Sequence, residues 1–151
     1  MSEKRTSITE HFSNILHYLQ KVDEEIKNNQ KIEEIREKYK LKELEEGIRT
    51  DIEQIEEMLQ ETLEKKEDDE NNENLSEEVK NVILAMDEAA IDIHEHFLNI
   101  AQLFLEYINN FNSEILESIK EKINEGVIKL EEMQEINKKL EEIINYKKYE
   151  A

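Results

Sequence analysis

The chain has 151 residues, a net charge of −19, no cysteine, no proline and two glycines. That length suits one helical domain or one protomer of an oligomer. The missing cysteines exclude disulfides, thiol catalysis and Cys-ligated zinc. With Gly47 and Gly126 the only glycines, the usual punctuation of turns and hairpins is absent. Glu, Lys, Ile, Leu and Asn dominate, which is the composition of long helices and coiled coils. The expected fold class is therefore all-α. Residues 67–78 hold seven acids and no base, whereas the remaining segments mix Glu with Lys. No basic patch is available for direct binding to nucleic acid or to an anionic membrane surface. The N-terminus has no apolar export region and no segment carries a run of about 18 apolar residues, so the expected location is cytoplasmic.

The first helix is predicted over about 7–28. Ser7 with Glu10 three residues later reads as a capping box. Ile8, Phe12, Ile15, Leu19, Val22 and Ile26 then form a narrow heptad seam, and Asn28-Asn29-Gln30 interrupts it. The second helix is predicted over about 31–66, with Ile32, Ile35, Tyr39, Leu41, Leu44, Ile48, Ile52, Ile55, Leu59 and Leu63 on its seam. Its steps of four from Leu44 to Ile52 shift it toward an eleven-residue pattern. A mobile acidic linker is predicted over about 67–75.

Ser76, followed by Glu77 and Glu78, supplies a cap and first-turn acids for a third helix over about 76–110. This helix differs from the others. Its seven-residue columns are Val79, Met86, Ile93, Ile100, Tyr107; Ile83, Ala90, Phe97, Phe104, Phe111; and Leu84, Ile91, Leu98, Leu105. A fourth column, Val82, Ala89, His96, Leu103, is largely apolar too. An arc well beyond ~100° needs several neighbours, so this helix is expected to be the hub of the fold. Asn112 as cap, with Phe111 and Leu116 as a hydrophobic staple, then opens a fourth helix over about 113–147. Similar helix lengths suggest an antiparallel four-helix bundle with coiled-coil-like packing. The competing geometry is a pair of long hairpins that bundle only on dimerisation.

Few chemical patterns survive inspection. A ferritin-like di-metal site wants Glu-x-x-His, yet Ile8, Asn14, Ile91 and Ile93 precede His11, His17, His94 and His96 by three. His94-Glu95-His96 puts its histidines ~160° apart on a helix and so fails the spacing-of-four zinc pattern. No nucleophile pattern or phosphate-binding glycine loop is present. No metal, cofactor or catalytic residue is expected.

Two residues stand out instead. Asp87 and His94 fall inside the apolar arc of the third helix, too far apart to pair with each other. The plain expectation is that each meets a polar group on a facing helix, with His11 a candidate partner. The sharper one is that they fix register or sense pH. Phe97, Phe104 and Phe111, with Leu84, Ile91, Leu98 and Leu105, are expected as core or interface stripes rather than a ligand pocket. The doublets Glu24-Glu25, Glu33-Glu34, Glu45-Glu46 and Glu56-Glu57 read as a solvated face, or alternatively as an acidic surface imitating nucleic acid. The functional expectation is a non-enzymatic helical interaction module, an adaptor, scaffold or chaperone-like binder that self-associates. The alternative is an acidic inhibitor occupying the groove of a basic protein partner.

Overall fold

The computed structural model describes residues 2–28 and 31–150, with the side chains of 8–28 and 31–145. These form five helices and no strand: α1 (Ser2–Lys27), α2 (Ile32–Lys38), α3 (Leu41–Glu70), α4 (Glu77–Asn110) and α5 (Ser113–Glu150). The four long helices make an all-α bundle in which α4 packs extensively against both α3 and α5, and α1 lies against α5. Bonds between helices fix the directions. Lys65 meets Asp87 where α3 and α4 run antiparallel, and Asp92 and His96 meet Lys129 and Lys122 across α4 and α5. Asp23 meets Ser113 across α1 and α5.

The hub expectation for α4 holds over its second half. Ile93, Phe97, Ile100, Ala101, Phe104, Tyr107 and Ile108 are all buried. The α1 seam also enters the core through Phe12, Ile15, Leu19 and Val22, joined by Leu16. On α3 the buried positions are Leu41, Ile48 and Ile55, a strict seven-residue step, with Leu44 and Ile52 only partly covered. α5 contributes Leu116, Ile119 and Ile123, while its apolar residues Val127 and Ile144 are exposed.

Several boundaries differ from the sequence reading. α1 already runs from Ser2, so Ser7 is not its cap. The break after the first helix is present, since α1 ends at Lys27 and α2 begins at Ile32; Asn29 and Gln30 lie outside the described residues. The predicted helix over 31–66 is two helices, because Lys40 takes a left-handed conformation at φ 50°. A continuous helix would set Ile35 and Leu41 about 120° apart. The break lets both reach the core, and the Tyr18 hydroxyl donates to the freed Tyr39 carbonyl. At the other end α3 continues to Glu70, where Lys65–Asp69 and Lys66–Glu70 pairs line the added turn. The connection to α4 is therefore Asn71–Ser76, shorter than the linker expected over 67–75. The Ser76 cap is as read: its hydroxyl accepts from the Val79 N–H. Asn112 likewise accepts from the Glu114 N–H at the start of α5.

The two glycines separate. A Cβ on Gly47 would meet nothing within 4 Å, whereas one on Gly126 would come 2.9 Å from Cζ of Phe97. Gly126 is thus the close contact between α4 and α5, and Gly47 is a weak point in an exposed helix. Gly47→Ala should stabilise the protein by about 1 kcal/mol through helix propensity. Gly126→Ala gains the same propensity but overpacks a stacked Phe97, an effect of about 1–3 kcal/mol, so a net loss near 1 kcal/mol is expected. Urea unfolding of the two variants checks this; equal stabilisation by both would show that Gly126 is not a tight contact.

Candidate functional site

The bundle is not the same along its length. α1 is 26 residues long against 30, 34 and 38 for α3, α4 and α5. Its first described side chain, Ile8, lies level with Met58, Ala90 and Met133, since all four border one cavity. From Ala90 back to Glu77 the hub helix extends about 20 Å more, and α1 from Ile8 to Ser2 covers about 9 Å of that.

The hub helix changes character at the same point. One innermost column, at seven-residue steps, is Ile108, Ala101, His94, Asp87 and Lys80. Ile108 and Ala101 are fully buried. His94 borders the same cavity as Ile8, His11 and Phe12 of α1, and Asp87 and Lys80 follow toward the N-terminus of α4. The apolar residues Val79, Val82, Ile83, Leu84, Met86 and Ile91 are only half-buried, in contrast to Ile93 through Ile108. Leu63 and Ile144, on the flanking helices of this end, are 43% and 50% exposed.

Asp87 does not meet His94 or His11. It is 3% exposed and accepts a hydrogen bond at Oδ1 from Lys65 Nζ, 2.8 Å away. Lys65 also donates to Asp69 Oδ2 at 2.8 Å, so one ammonium bridges two carboxylates. The second oxygen of Asp87 is buried without a hydrogen-bond donor. Burial, and then the neighbouring Asp69, push the Asp87 carboxyl up, while interaction with Asp87 holds Asp69 down. Burial alone would lower Lys65, but its bonds to Asp69 and Asp87 outweigh that and hold it up. Of the two acids that share Lys65, Asp87 holds a proton more readily.

The pH consequence follows by linkage. Asp87 has a folded pKa above the ordinary 3.8, so its contribution is complete below that value and is lost as pH rises through the folded pKa. Asp69 has the opposite sign: its contribution is present above 3.8 and lost as pH falls through its lowered pKa. Asp87→Asn imitates the protonated acid, accepting from Lys65 and offering N–H to Asp69. It should raise stability at pH 7 relative to wild type, because burial no longer penalises a charge at this position. The difference should vanish toward pH 4. Urea unfolding at the two pH values measures it, and a variant less stable than wild type at pH 7 would refute this burial penalty.

His94 and His11 come together, though not as a pair. Both border a cavity of about 420 Å³ at the end of the α1 side chains. Its walls are apolar: Phe12 from α1, Ile55 and Met58 from α3, Ile93 and Phe97 from α4, Leu130 and Met133 from α5. His11 Nε2 donates to Asp51 at 2.7 Å across α1 and α3. His11 and Gln54 are exposed, which places the mouth between these two helices. His94 has no hydrogen-bond partner among the described residues, and burial lowers its pKa. His96, two residues on, donates to the Lys122 carbonyl of α5.

The remaining stripe residues divide between core and rim. Phe97 and Phe104 are buried and both lie against Phe12. Phe111 is the left-handed C-cap of α4, half-buried beneath the Arg36 guanidinium 4.5 Å from its ring. Leu98 and Leu105 flank the core, and Leu84 and Ile91 belong to the half-covered end. Among the acidic doublets, Glu25 pairs with Lys38 and Glu45 with Arg49.

One polar cluster was missed by the sequence reading. Asp23 is buried and accepts from Tyr107 Oη at 2.8 Å and from Ser113 Oγ at 3.0 Å, with Lys27 Nζ 3.3 Å away. Burial and this acceptor push the Tyr107 hydroxyl well above the ordinary tyrosine value. The available signal was Tyr107 itself, because a tyrosine ending a buried column needs an acceptor for its hydroxyl.

Among the described residues no three His, Asp or Glu side chains lie together in a way that could hold a metal ion, and no helix is long and apolar enough to cross a membrane. The chain matches no protein-family model, no curated protein and no solved structure.

Proposed function

We propose that the protein is a non-enzymatic helical interaction module of the cytoplasm that self-associates through the open end of its bundle. The observation behind this reading is the contrast along α4: Ile93, Phe97, Ile100, Phe104, Tyr107 and Ile108 are buried, whereas no apolar residue from Val79 to Ile91 is. A contiguous apolar face at the end of a helix bundle favours burial against another helix. Charge favours a second copy, because Glu70, Glu73, Glu77 and Glu78 around the α3–α4 turn lie at the same end as exposed Lys138 and Lys139 of α5. A two-fold contact could set each acidic connection against the partner's lysines. The nucleic-acid-imitating alternative draws less support, since two of the eight doublet glutamates are already paired with bases of this chain.

Sedimentation equilibrium tests the reading. Wild type should associate at micromolar concentration, and the surface variant Leu63→Glu/Ile144→Glu should shift to monomer with an unchanged circular dichroism spectrum. A wild-type monomer up to about 100 μM, a concentration well above a micromolar dissociation constant, would overturn self-association.

A further inference from the structure

The cavity at the end of the α1 side chains holds a feature that neither packing nor self-association uses. His94 presents an imidazole to an apolar chamber and has no partner among the described residues. A neutral imidazole carries one donor and one acceptor, and half-buried polar groups are ordinarily hydrogen-bonded. The other polar groups at the chamber do not serve it: His11 is engaged with Asp51, and Gln54 is exposed at the mouth.

Size narrows the occupant. An engineered cavity of about 150 Å³ lined by aliphatic and aromatic side chains takes benzene. The present chamber is about 420 Å³, which falls within the range of natural small-molecule pockets. It has room for two or three rings. Met58 and Met133 line it with flexible, polarisable side chains that adapt to such shapes. Electrostatics narrow it further. Asp51 stands at the mouth and the chain carries −19, so an anion is disfavoured.

We propose that this cavity is a binding site for a neutral, ring-containing apolar molecule of two to three rings bearing one hydroxyl, which lies between Phe12, Phe97 and the two methionines and hydrogen-bonds His94. The claim does not depend on self-association, because the chamber is walled by all four long helices of one chain.

2-Naphthol is a suitable probe, with naphthalene and 2-naphthoate as controls, titrated into the full chain and followed by ligand fluorescence and the His94 ring signals in NMR. 2-Naphthol should bind saturably and move the His94 signals, with naphthalene and 2-naphthoate each at least about fivefold weaker. His94→Ala should bring naphthol and naphthalene to within about twofold of each other. Ala90→Leu, which adds bulk to the chamber wall, should lower naphthol affinity at least tenfold while the melting temperature stays level or rises. If that variant is destabilised, Met133→Phe serves the same purpose from α5. No saturable binding up to about 1 mM, or binding unchanged by either filling variant, would overturn the site. Tighter binding of the carboxylate than of the alcohol would overturn the assignment of a neutral ligand.

Discussion

Asp23→Ala should destabilise the protein by about 3 kcal/mol, because it removes a buried acceptor that joins three helices. Asp23 on α1 receives the hydroxyl of Tyr107 on α4 and that of Ser113 at the start of α5. Tyr107 is fully buried, so its hydroxyl has no access to water once the carboxylate is gone. A buried donor left unmade costs about 1–3 kcal/mol, and losing charge-assisted bonds adds to it. The Lys27 pair contributes little, since its ammonium is largely exposed. Asp23→Asn retains one acceptor oxygen and should lose about half as much. Tyr107→Phe removes the donor instead and should cost about 1 kcal/mol. Urea unfolding of the single and double variants closes a cycle in which the Asp23–Tyr107 coupling should be at least about 1 kcal/mol. An Asp23→Ala loss below that figure would mean that the carboxylate is not what secures this end.

The same cluster shows where sequence reasoning stops. Periodicity found the α1 seam, the hub character of α4, the Ser76 and Asn112 caps and the unusual placement of Asp87 and His94. These are local properties, carried by side-chain spacing within one helix. Asp23 was invisible because one acid among so many gives no signal, and its partners lie 84 and 90 residues away. The break at Lys40 was missed for a related reason: Ile35 and Leu41 need a common core, and only the neighbouring helices impose that demand. The role of Asp87 was half legible. Its place on a greasy face was plain from the column, but not its bond to Lys65 of α3. His11 was picked as a partner for these polar positions, and it instead bonds Asp51 while sharing the His94 cavity. Gly126 and Gly47 look alike in the sequence, and only the position of Phe97 separates them.

Phe12→Ala is the substitution expected to cost most, about 4 kcal/mol. Phe12 is the aromatic side chain that α1 sends into the core. Its ring stacks on Phe97 at 5.7 Å and tilts against Phe104 at 5.8 Å. Truncating a buried phenylalanine typically loses about 3–5 kcal/mol, and two aromatic pairs favour the upper half of that range. The surroundings cannot readily close the gap. Phe97 is held from behind by the close approach of α5 at Gly126, and the void merges with the existing cavity. Phe12→Leu preserves most of the volume and should cost under about 1.5 kcal/mol. The damage should also be directional. Leu19, Val22 and the Asp23 cluster still anchor the C-terminal half of α1, whereas Ile8 and His11 lose the neighbour that seats them. Native-state hydrogen exchange should therefore show the amides before Phe12 losing protection while those around Leu19 keep it, a local opening below the global unfolding energy. Uniform loss along α1 would mean that the helix is held as one unit. A total cost under about 2 kcal/mol would mean that Phe12 is not its anchor, which would then have to lie nearer Leu16 than Ile8.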